Sequence, residues 1–487
     1  MSTRSVQPAL ALAPASEAGR APDGAQDSGR FILPGMVAAA LLIWLACMAT
    51  FLLLPLDRLP LYFAARYLVL DATSLLFVLV INTVFLGISV YMFSRGRATQ
   101  ELTRELRRRA LWSSLFMLVM NIGILSNHLI LQWALIEVTT ACAVMMMVRG
   151  RHGAPKAVAW RYMLYSSMTL AISFLGFMCL SQSAHLRDLH LHFHLDQLAG
   201  ALTREKDPWQ RLGLAFILFG LGGKLGLAPL YSWLPETYEA APTSTSALLA
   251  SVQFNISVVA LFRVLQAFQG VEPGFVSQEL MLMGYASLVV AAIQIMATRN
   301  YKRLIAYACI SSSGVIALGI SVGQAAAYGV VLYIVSNAFV KSLLFITAGR
   351  MRAVYGSNDV TTLAGVIRVL PFAGMLFAGG IFALLGFPPF ASFLAEMLIL
   401  SGIVQAGNLL AFTLMCVMLT IIFVATGRRI FPMLWGTPLE VREPMKESKL
   451  SIIPKLGFVA VLTMLGTYTP QVVTQLLSAV ARSIGGT

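Results

Sequence analysis

Uninterrupted apolar stretches of about 20 residues, the length a helix needs to cross roughly 30 Å of hydrocarbon, recur through nearly the whole of this 487-residue chain. Hydrophobic residues make up 58% of it and charged residues only 11%. Ordinary soluble domains carry about 25% charged residues, so this balance excludes a soluble globular enzyme. The alternation of polar and apolar residues that a membrane barrel requires is absent, so the spans are helices whose backbone groups satisfy one another inside the lipid. The chain is therefore predicted to be an all-α polytopic membrane protein. About thirteen spans start near Phe31, Leu68, Leu111, Leu129, Trp160, Trp209, Thr243, Gln278, Arg303, Ala326, Leu370, Asn408 and Ile452. Residues 1–30, rich in Ala, Pro, Ser and Gly, lack the apolar core and cleavage site of a secretory signal and read as a disordered cytoplasmic tail.

The net charge of +14 lies mostly in short loops. "SRGRATQELTRELRRR" (Ser94–Arg109), "RGRHGAPKAVAWR" (Arg149–Arg161), "RNYKR" (Arg299–Arg303), "RMRAVYGSNDVTTLAGVIR" (Arg350–Arg368) and "GRR" (Gly427–Arg429) all fall on one side if thirteen spans are counted. That side is the cytoplasm by the positive-inside rule, with the N-terminus inside and the C-terminus outside. The basic excess thus reflects topology, and no nucleic-acid partner is expected. Five cysteines fall singly in apolar windows with no CxxC spacing, which argues against a self-contained iron–sulfur or zinc site. The histidine-rich "HLRDLHLHFHL" reads as a wet loop between helices in preference to a metal site.

Ionisable residues at membrane depth cost several kcal/mol and mark function by default. Four stand deep in apolar context: Glu137 in "LQWALIEVTTACAVMM", Lys224 in "LGGKLGLAPLYSWLP", Lys341 in "SNAFVKSLLFI" and Glu396 in "FPPFASFLAEMLIL". Taken singly, each fits a static ion pair or a snorkelling side chain equally well; four of both signs along one chain argue against an all-structural account. A carboxylate and an amine facing each other in a dry bundle shift each other's proton affinity, which a proton relay needs. Asp71, Arg161 and Arg263 fall at span ends, where capping or snorkelling is expected. Glu236 and Glu239 follow Pro235, where water-lined and buried positions are both open.

Two hydrophobic segments are interrupted by Gly and Pro: "GKLGLAPLYSWLP", with Pro229 and Pro235, and "LLGFPPFASFLAEM", with Pro388 and Pro389. A broken helix frees backbone groups that polar neighbours must satisfy, so it marks a cavity or ion path. One such break in each half points to two inverted five-helix repeats. These are placed over residues 129–270 and 271–431, after N-terminal helices over 31–128 and before a C-terminal loop and last helix over 432–487.

"KLGLAPLYSWLPETYEAAPTSTSALL" resembles the signature of the antiporter-like, proton-translocating membrane subunits shared by complex I, membrane-bound hydrogenases and Mrp antiporters. "LDATSLLF" at Leu70, "RNYKRLIAYACISSSG" at Arg299, "NAFVKSLLFITAG" at Asn337 and "GFPPFASFLAEMLIL" at Gly386 extend the resemblance over most of the chain. "ALIEVTTACAV" and Asn255 are similar to the hydrogenase-4 type in particular. The resemblance implies fourteen core helices with Pro-broken members and a polar axis at mid-membrane. Glu137 and Lys224 would be the charge pair of the first half-channel, Lys341 the central lysine and Glu396 the outlet residue. Secondary polar positions are Glu236, Asn255, Ser312, Ser313 and Asn337. The chain departs from the family in lacking its first helix and in carrying Asn337 and "SSSG" where histidines are common, so a relay there would run through hydroxyls and water.

No set of residues for a cluster, haem or nucleotide is present, so no cofactor is expected and electrons would pass through partner proteins. The resemblance implies an ion-translocating subunit of a redox complex in a bacterial plasma membrane, with membrane and peripheral partner subunits and either protons or sodium as the ion. Two alternatives stay open: an ion-coupled energising subunit of a non-redox transporter, such as one for inorganic carbon, and a scaffold that has lost pumping.

Overall fold

The computed structural model describes residues 31–95, 100–148, 155–189, 191–203, 207–437 and 447–484. The expected tail over 1–30, part of two basic loops, and residues 438–446 and 485–487 of the C-terminal segment lie outside the described residues. The chain folds as α1 (Ile32–Leu53), a hairpin of β1 (Leu61–Phe63) and β2 (Leu68–Leu70), then α2 (Ala72–Arg95), α3 (Gln100–Leu125), α4 (Leu129–Met147), α5 (Pro155–His185) and the short α6 (Leu195–Ala201). Next come α7 (Pro208–Lys224), α8 (Trp233–Ala240), α9 (Thr243–Leu248), a π-turn (Leu249–Gln253) continuing into α10 (Phe254–Ala267), α11 (Pro273–Ala297), α12 (Tyr301–Ser321) and α13 (Gln324–Tyr355). Then follow α14 (Val366–Val369), α15 (Pro371–Leu384), α16 (Ala391–Gln405), α17 (Leu409–Trp435), α18 (Lys449–Thr467) and α19 (Gln471–Ile484).

Ten helical runs among the described residues are long and apolar enough to cross a membrane. The other three expected spans coincide with α3, whose basic first turns lower its hydropathy, and with the interrupted pairs α7–α8 and α15–α16. Two expected starts shift. Leu68 belongs to a strand that pairs with Phe63, so α2 begins only at Ala72, and α3 begins well before Leu111. Between residues 129 and 270 lie four helical passes, α4, α5, α7–α8 and α9–α10; five passes lie between 271 and 431. α19, a further helix beyond the last expected span, docks against α2, α10 and α13 through Leu476, Leu477, Val480 and Ala481.

Side-chain caps fix where several helices start, each satisfying backbone donors that a first turn leaves free. Asp207 accepts from Trp209 N at 2.9 Å ahead of Pro208, Asn300 accepts from Lys302 N at 3.0 Å, and Asn408 accepts from Ala411 N at 3.0 Å. Asp71 accepts from Ser74 N at 2.8 Å and also receives both terminal nitrogens of Arg263 from α10. Burial alone would raise the Asp71 carboxyl, but the Arg263 guanidinium and the Ser74 hydrogen bonds more than reverse this and hold it below the usual carboxylate range. Asp71 and Arg263 therefore cap and cross-link helix ends, as their positions in the sequence suggest.

The α9–α10 run and α13 are enclosed by protein along their whole apolar windows. α13 is the axial helix, in contact with α2, α9, α12, α15, α16, α18 and α19. α7 lies along α5, and at Gly220 the approach is close enough that a Cβ would sit 2.5 Å from the Thr169 carbonyl. That contact holds the C-terminal end of α7, with Lys224, against the polar turn of α5.

Candidate functional site

The two helix breaks share one geometry. α7 ends on a Schellman turn: Gly226 is left-handed (φ +79°), Gly226 N donates to Gly223 O at 3.1 Å and Leu227 N to Gly222 O at 2.8 Å. α15 ends likewise, with Gly386 at φ +66°, Gly386 N to Ala383 O at 3.3 Å and Phe387 N to Phe382 O at 3.0 Å. A cis peptide follows in each, Ala228–Pro229 and Pro388–Pro389. Side chains from neighbouring helices satisfy the freed backbone: Ser313 Oγ donates to Leu225 O at 2.8 Å, Trp233 Nε1 to Gly223 O at 3.0 Å, and Ala228 N to Ser287 Oγ at 2.9 Å. In the second break the Ser392 hydroxyl donates to Ala383 O. Pro235 does not make a break; it sits inside the first turn of α8.

The breaks are also in register along the sequence. Gly386, Pro389 and Glu396 each follow Gly226, Pro229 and Glu236 by 160 residues. The counterpart of Glu396 is therefore Glu236, and the counterpart of Lys224 is the apolar Leu384. By this register Lys224 and Glu396, the ionisable residues of the two quoted segments, are not equivalent positions.

Lys224 is buried at 3% exposure, and Nζ donates to Thr140 Oγ1 at 2.6 Å and to the Ser166 hydroxyl. It lies 5.7 Å from the centroid of the Tyr162 ring. Glu137, on α4 with Thr140, accepts from the Ser167 hydroxyl, while its Oε2 is buried without a partner. The expected charge pair is thus separated. Lys224 and Glu137 interact electrostatically, each held by different hydroxyls, with no direct contact between them among the described ion pairs. A buried ammonium held by two neutral acceptors is a costly arrangement unless its charge is used or relieved.

Lys341 is 1% exposed and its Nζ has no hydrogen-bond partner; it rests 4.1 Å above the Phe254 ring of α10, a cation–π contact. Asn337, one turn earlier, donates to Tyr333 O on its own helix (2.9 Å), and its side chain also meets the Tyr333 hydroxyl. Asn255 donates to Ser251 O at 2.5 Å and leaves Oδ1 buried and unpartnered. Glu396 is 8% exposed and interacts with the Tyr333 hydroxyl, beside which lie Ser312 and Asn337. A cavity of about 30 Å³ opens between Glu396, Tyr333, Ser311, Ser312 and the apolar Leu385 and Phe423. That space suffices for one or two waters. Glu236 lies apart from these groups, half-exposed and paired with Arg161 of α5.

The sequence pattern missed Tyr162, Gln253, Ser166, Ser167, Thr139 and Thr140, the neutral polar groups gathered around Lys224 and Glu137; hydroxyls are too common inside apolar helices to stand out. It also missed Lys455 on α18, fully buried and paired with Glu447 at 3.1 Å. The signal there was the same as for Lys224, a lysine within an apolar window, in "IIPKLGF". His128 and His194 meet with ring centroids 4.8 Å apart, but no group of three or more metal-binding side chains exists among the described residues.

A family model described as the transmembrane part of NADH:quinone oxidoreductase and Mrp antiporters matches residues 126–422. A hydrogenase-4 component F homolog of Methylacidiphilum infernorum is 27% identical over 363 residues, covering 71% of this chain and 74% of that protein. The fold superimposes on a chain of the membrane-bound sulfane sulfur reductase, an archaeal respiratory membrane complex, with a TM-score of 0.82 at 21% identity, covering 94% of this chain and 96% of that one. It superimposes on a chain of respiratory complex I from Thermus thermophilus with a TM-score of 0.76 at 22% identity, covering 94% and 97%. The match runs from just ahead of α4 into α17, taking in both breaks together with Glu137, Lys224, Lys341 and Glu396: the chain belongs to the NADH:quinone oxidoreductase/Mrp antiporter transmembrane family and is an antiporter-like, multi-pass membrane subunit.

Proposed function

We propose that this chain moves protons across a bacterial plasma membrane as one subunit of a redox-driven complex of the hydrogenase-4 or complex I kind. The observation that carries this reading is Lys224: a lysine buried at a helix break, held by Thr140 and Ser166, with the Glu137 carboxylate close enough to act on its charge. Its charge state depends on Glu137, so a change of charge at Glu137 moves the proton on Lys224. The path then runs through Lys341 to Glu396, with Tyr333, Ser312 and water in the adjoining cavity replacing the absent histidines. The chain itself performs no redox step; partner subunits supply the driving reaction.

The topology in this reading has the N-terminus in the cytoplasm, with the basic loops beside it. α7–α8 and α15–α16 then cross in opposite senses. Glu236 and Glu396, equivalent by register, stand in the cytoplasmic and outer halves respectively and serve as entry and exit. The two repeats end near residues 270 and 431, and the first gains its fifth helix from α3. The test is proton flux in proteoliposomes containing the chain purified with its copurifying subunits. Lys224→Ala abolishes flux while the complex still assembles; undiminished flux sinks the reading. The identity of the copurifying subunits separates a redox complex from a non-redox transporter.

A further inference from the structure

We infer that Gln253 is a positioning residue that sets the direction of the hydrogen-bond chain leaving Lys224 and ties it to the Lys341 site. This rests on the proton path proposed above. Gln253 is 4% exposed and closes the π-turn Leu249–Gln253, inside a helical run enclosed by protein. π-turns inserted in α-helices are rare and concentrate at functional positions.

The direction follows from counting hydrogens. Thr139 Oγ1 donates to Ile136 O at 2.6 Å, which uses its only hydrogen. Towards Gln253 it is therefore an acceptor, and Gln253 Nε2 donates to it at 3.4 Å. The other end of the amide, Oε1, then faces the Tyr162 hydroxyl, which donates to it at 2.9 Å. With its hydrogen committed to Gln253, Tyr162 meets the Lys224 side as an acceptor only. Thr140 spends its own hydrogen on Ile136 O at 3.2 Å, leaving Ser166 as the hydroxyl free to donate to Tyr162. Donation thus runs one way: Lys224 to Ser166, Ser166 to Tyr162, Tyr162 to Gln253, Gln253 to Thr139.

The same turn touches the second lysine. Consecutive helical residues point about 100° apart. Gln253 faces α4 and α5, and Phe254, the next residue, presents its ring to Lys341 Nζ on α13 at 4.1 Å. A primary amide does not relay an excess proton, so Gln253 ends the chain from Lys224 and holds Tyr162 in place. A rearrangement on the Lys224 side reaches Lys341 as movement of this turn.

The test uses the full chain with its copurifying subunits in proteoliposomes, reading proton flux against pH together with thermal stability. Gln253→Leu and Tyr162→Phe each lower flux at least about fivefold, the order expected for one net hydrogen bond. The double variant is no worse than either single one, because both remove the same link. Gln253→Glu keeps the pattern while its carboxyl is protonated, accepting from Tyr162 and donating to Thr139. Its flux is therefore near wild type at low pH and falls as pH rises, a profile that a merely structural role does not produce. Flux within twofold of wild type in Gln253→Leu, alongside inactive Lys224→Ala, overturns the inference and leaves the proton path standing. So do single losses that multiply in the double variant. Undiminished flux in Lys224→Ala overturns the proton path and this inference together.

Discussion

Lys224 Nζ sits 2.6 Å from Thr140 Oγ1, and these two residues, 84 positions apart, join α7 to α4 at the point where α7 breaks. The ammonium has only neutral hydroxyl acceptors. Thr140→Val or Ser166→Ala removes one acceptor from a buried charge, and each is expected to cost about 1–3 kcal/mol. The Tm of the solubilised complex should fall in both variants, with flux falling further than stability loss explains. Flux that simply follows Tm would show the hydroxyls to be structural only.

Lys455 and Glu447 form the counter-example, a buried ion pair lying off the proposed path. Their side chains are 0% and 2% exposed at 3.1 Å, and Glu447 Oε1 also accepts from Ala373 N at 2.9 Å in the first turn of α15. Breaking such a pair from one side strands the other charge and costs about 3–5 kcal/mol, whereas replacing both with apolar residues of similar size is close to neutral. Glu447→Gln and Lys455→Met should each lower Tm sharply. The double variant Lys455→Met/Glu447→Leu should recover most of it, short of the lost α15 cap, with normal flux. Loss of flux in a thermally recovered double variant would bring this pair into the path.

How much was legible in the sequence follows from which physical signals are rare. A charge in an apolar window is expensive, so Glu137, Lys224, Lys341 and Glu396 stood out; the last three are buried and Glu137 is half-buried. Gly–Pro interruptions are rare as well, and both breaks lie where the sequence placed them. Most spans followed from apolar length; the exceptions are the helix breaks, the basic start of α3, and the hairpin that replaces the start of a helix at Leu68. What stayed hidden depends on rotation and distance. Periodicity does not reveal that Asn337 turns back onto Tyr333 O, or that Glu137 and Lys224 are held by separate hydroxyls and not by each other. The pairing of Glu396 with Glu236 was present as a constant spacing but became visible only through the shared Schellman turns.

His128 caps α4, the helix that carries Glu137, by accepting from Leu131 N at Nδ1 at 3.3 Å. Burial and the nearby His194 hold its imidazole below the ordinary value of 6.5; Tyr67, Phe193, Asp196 and Arg66 line the same corner. An imidazolium has no acceptor at Nδ1, so protonation removes the cap. Because the folded-state value is lowered, the stabilisation is complete above about pH 6.5 and is lost as pH falls below it. The protection of the Leu131 amide and its neighbours, meaning exchange relative to the free-peptide rate at the same pH, should therefore fall on acidification. His128→Asn, which caps without titrating, should keep that protection constant. Protection at these amides that does not change with pH in the wild type would disprove the dependence.

Gly386 and Glu396 provide the sharpest steric test of the outlet. Gly386 is left-handed at φ +66°, and a Cβ there would stand 2.1 Å from Glu396 Oε2. Gly386→Ala adds about 1–2 kcal/mol of backbone strain and also forces the carboxylate away from the Tyr333 hydroxyl. Gly356 has nearly the same backbone, φ +71°, with nothing within 4 Å of an added Cβ. Gly356→Ala therefore reports the strain alone. The two variants should lose similar thermal stability, because the carboxylate is the flexible end of its side chain and moves without disturbing the backbone. Flux should nevertheless survive in Gly356→Ala and fall at least about tenfold in Gly386→Ala, the equivalent of ~1.4 kcal/mol in the barrier to proton release. Equal flux in the two would remove Glu396 from the outlet, since the substitution would then have displaced a carboxylate that carries nothing.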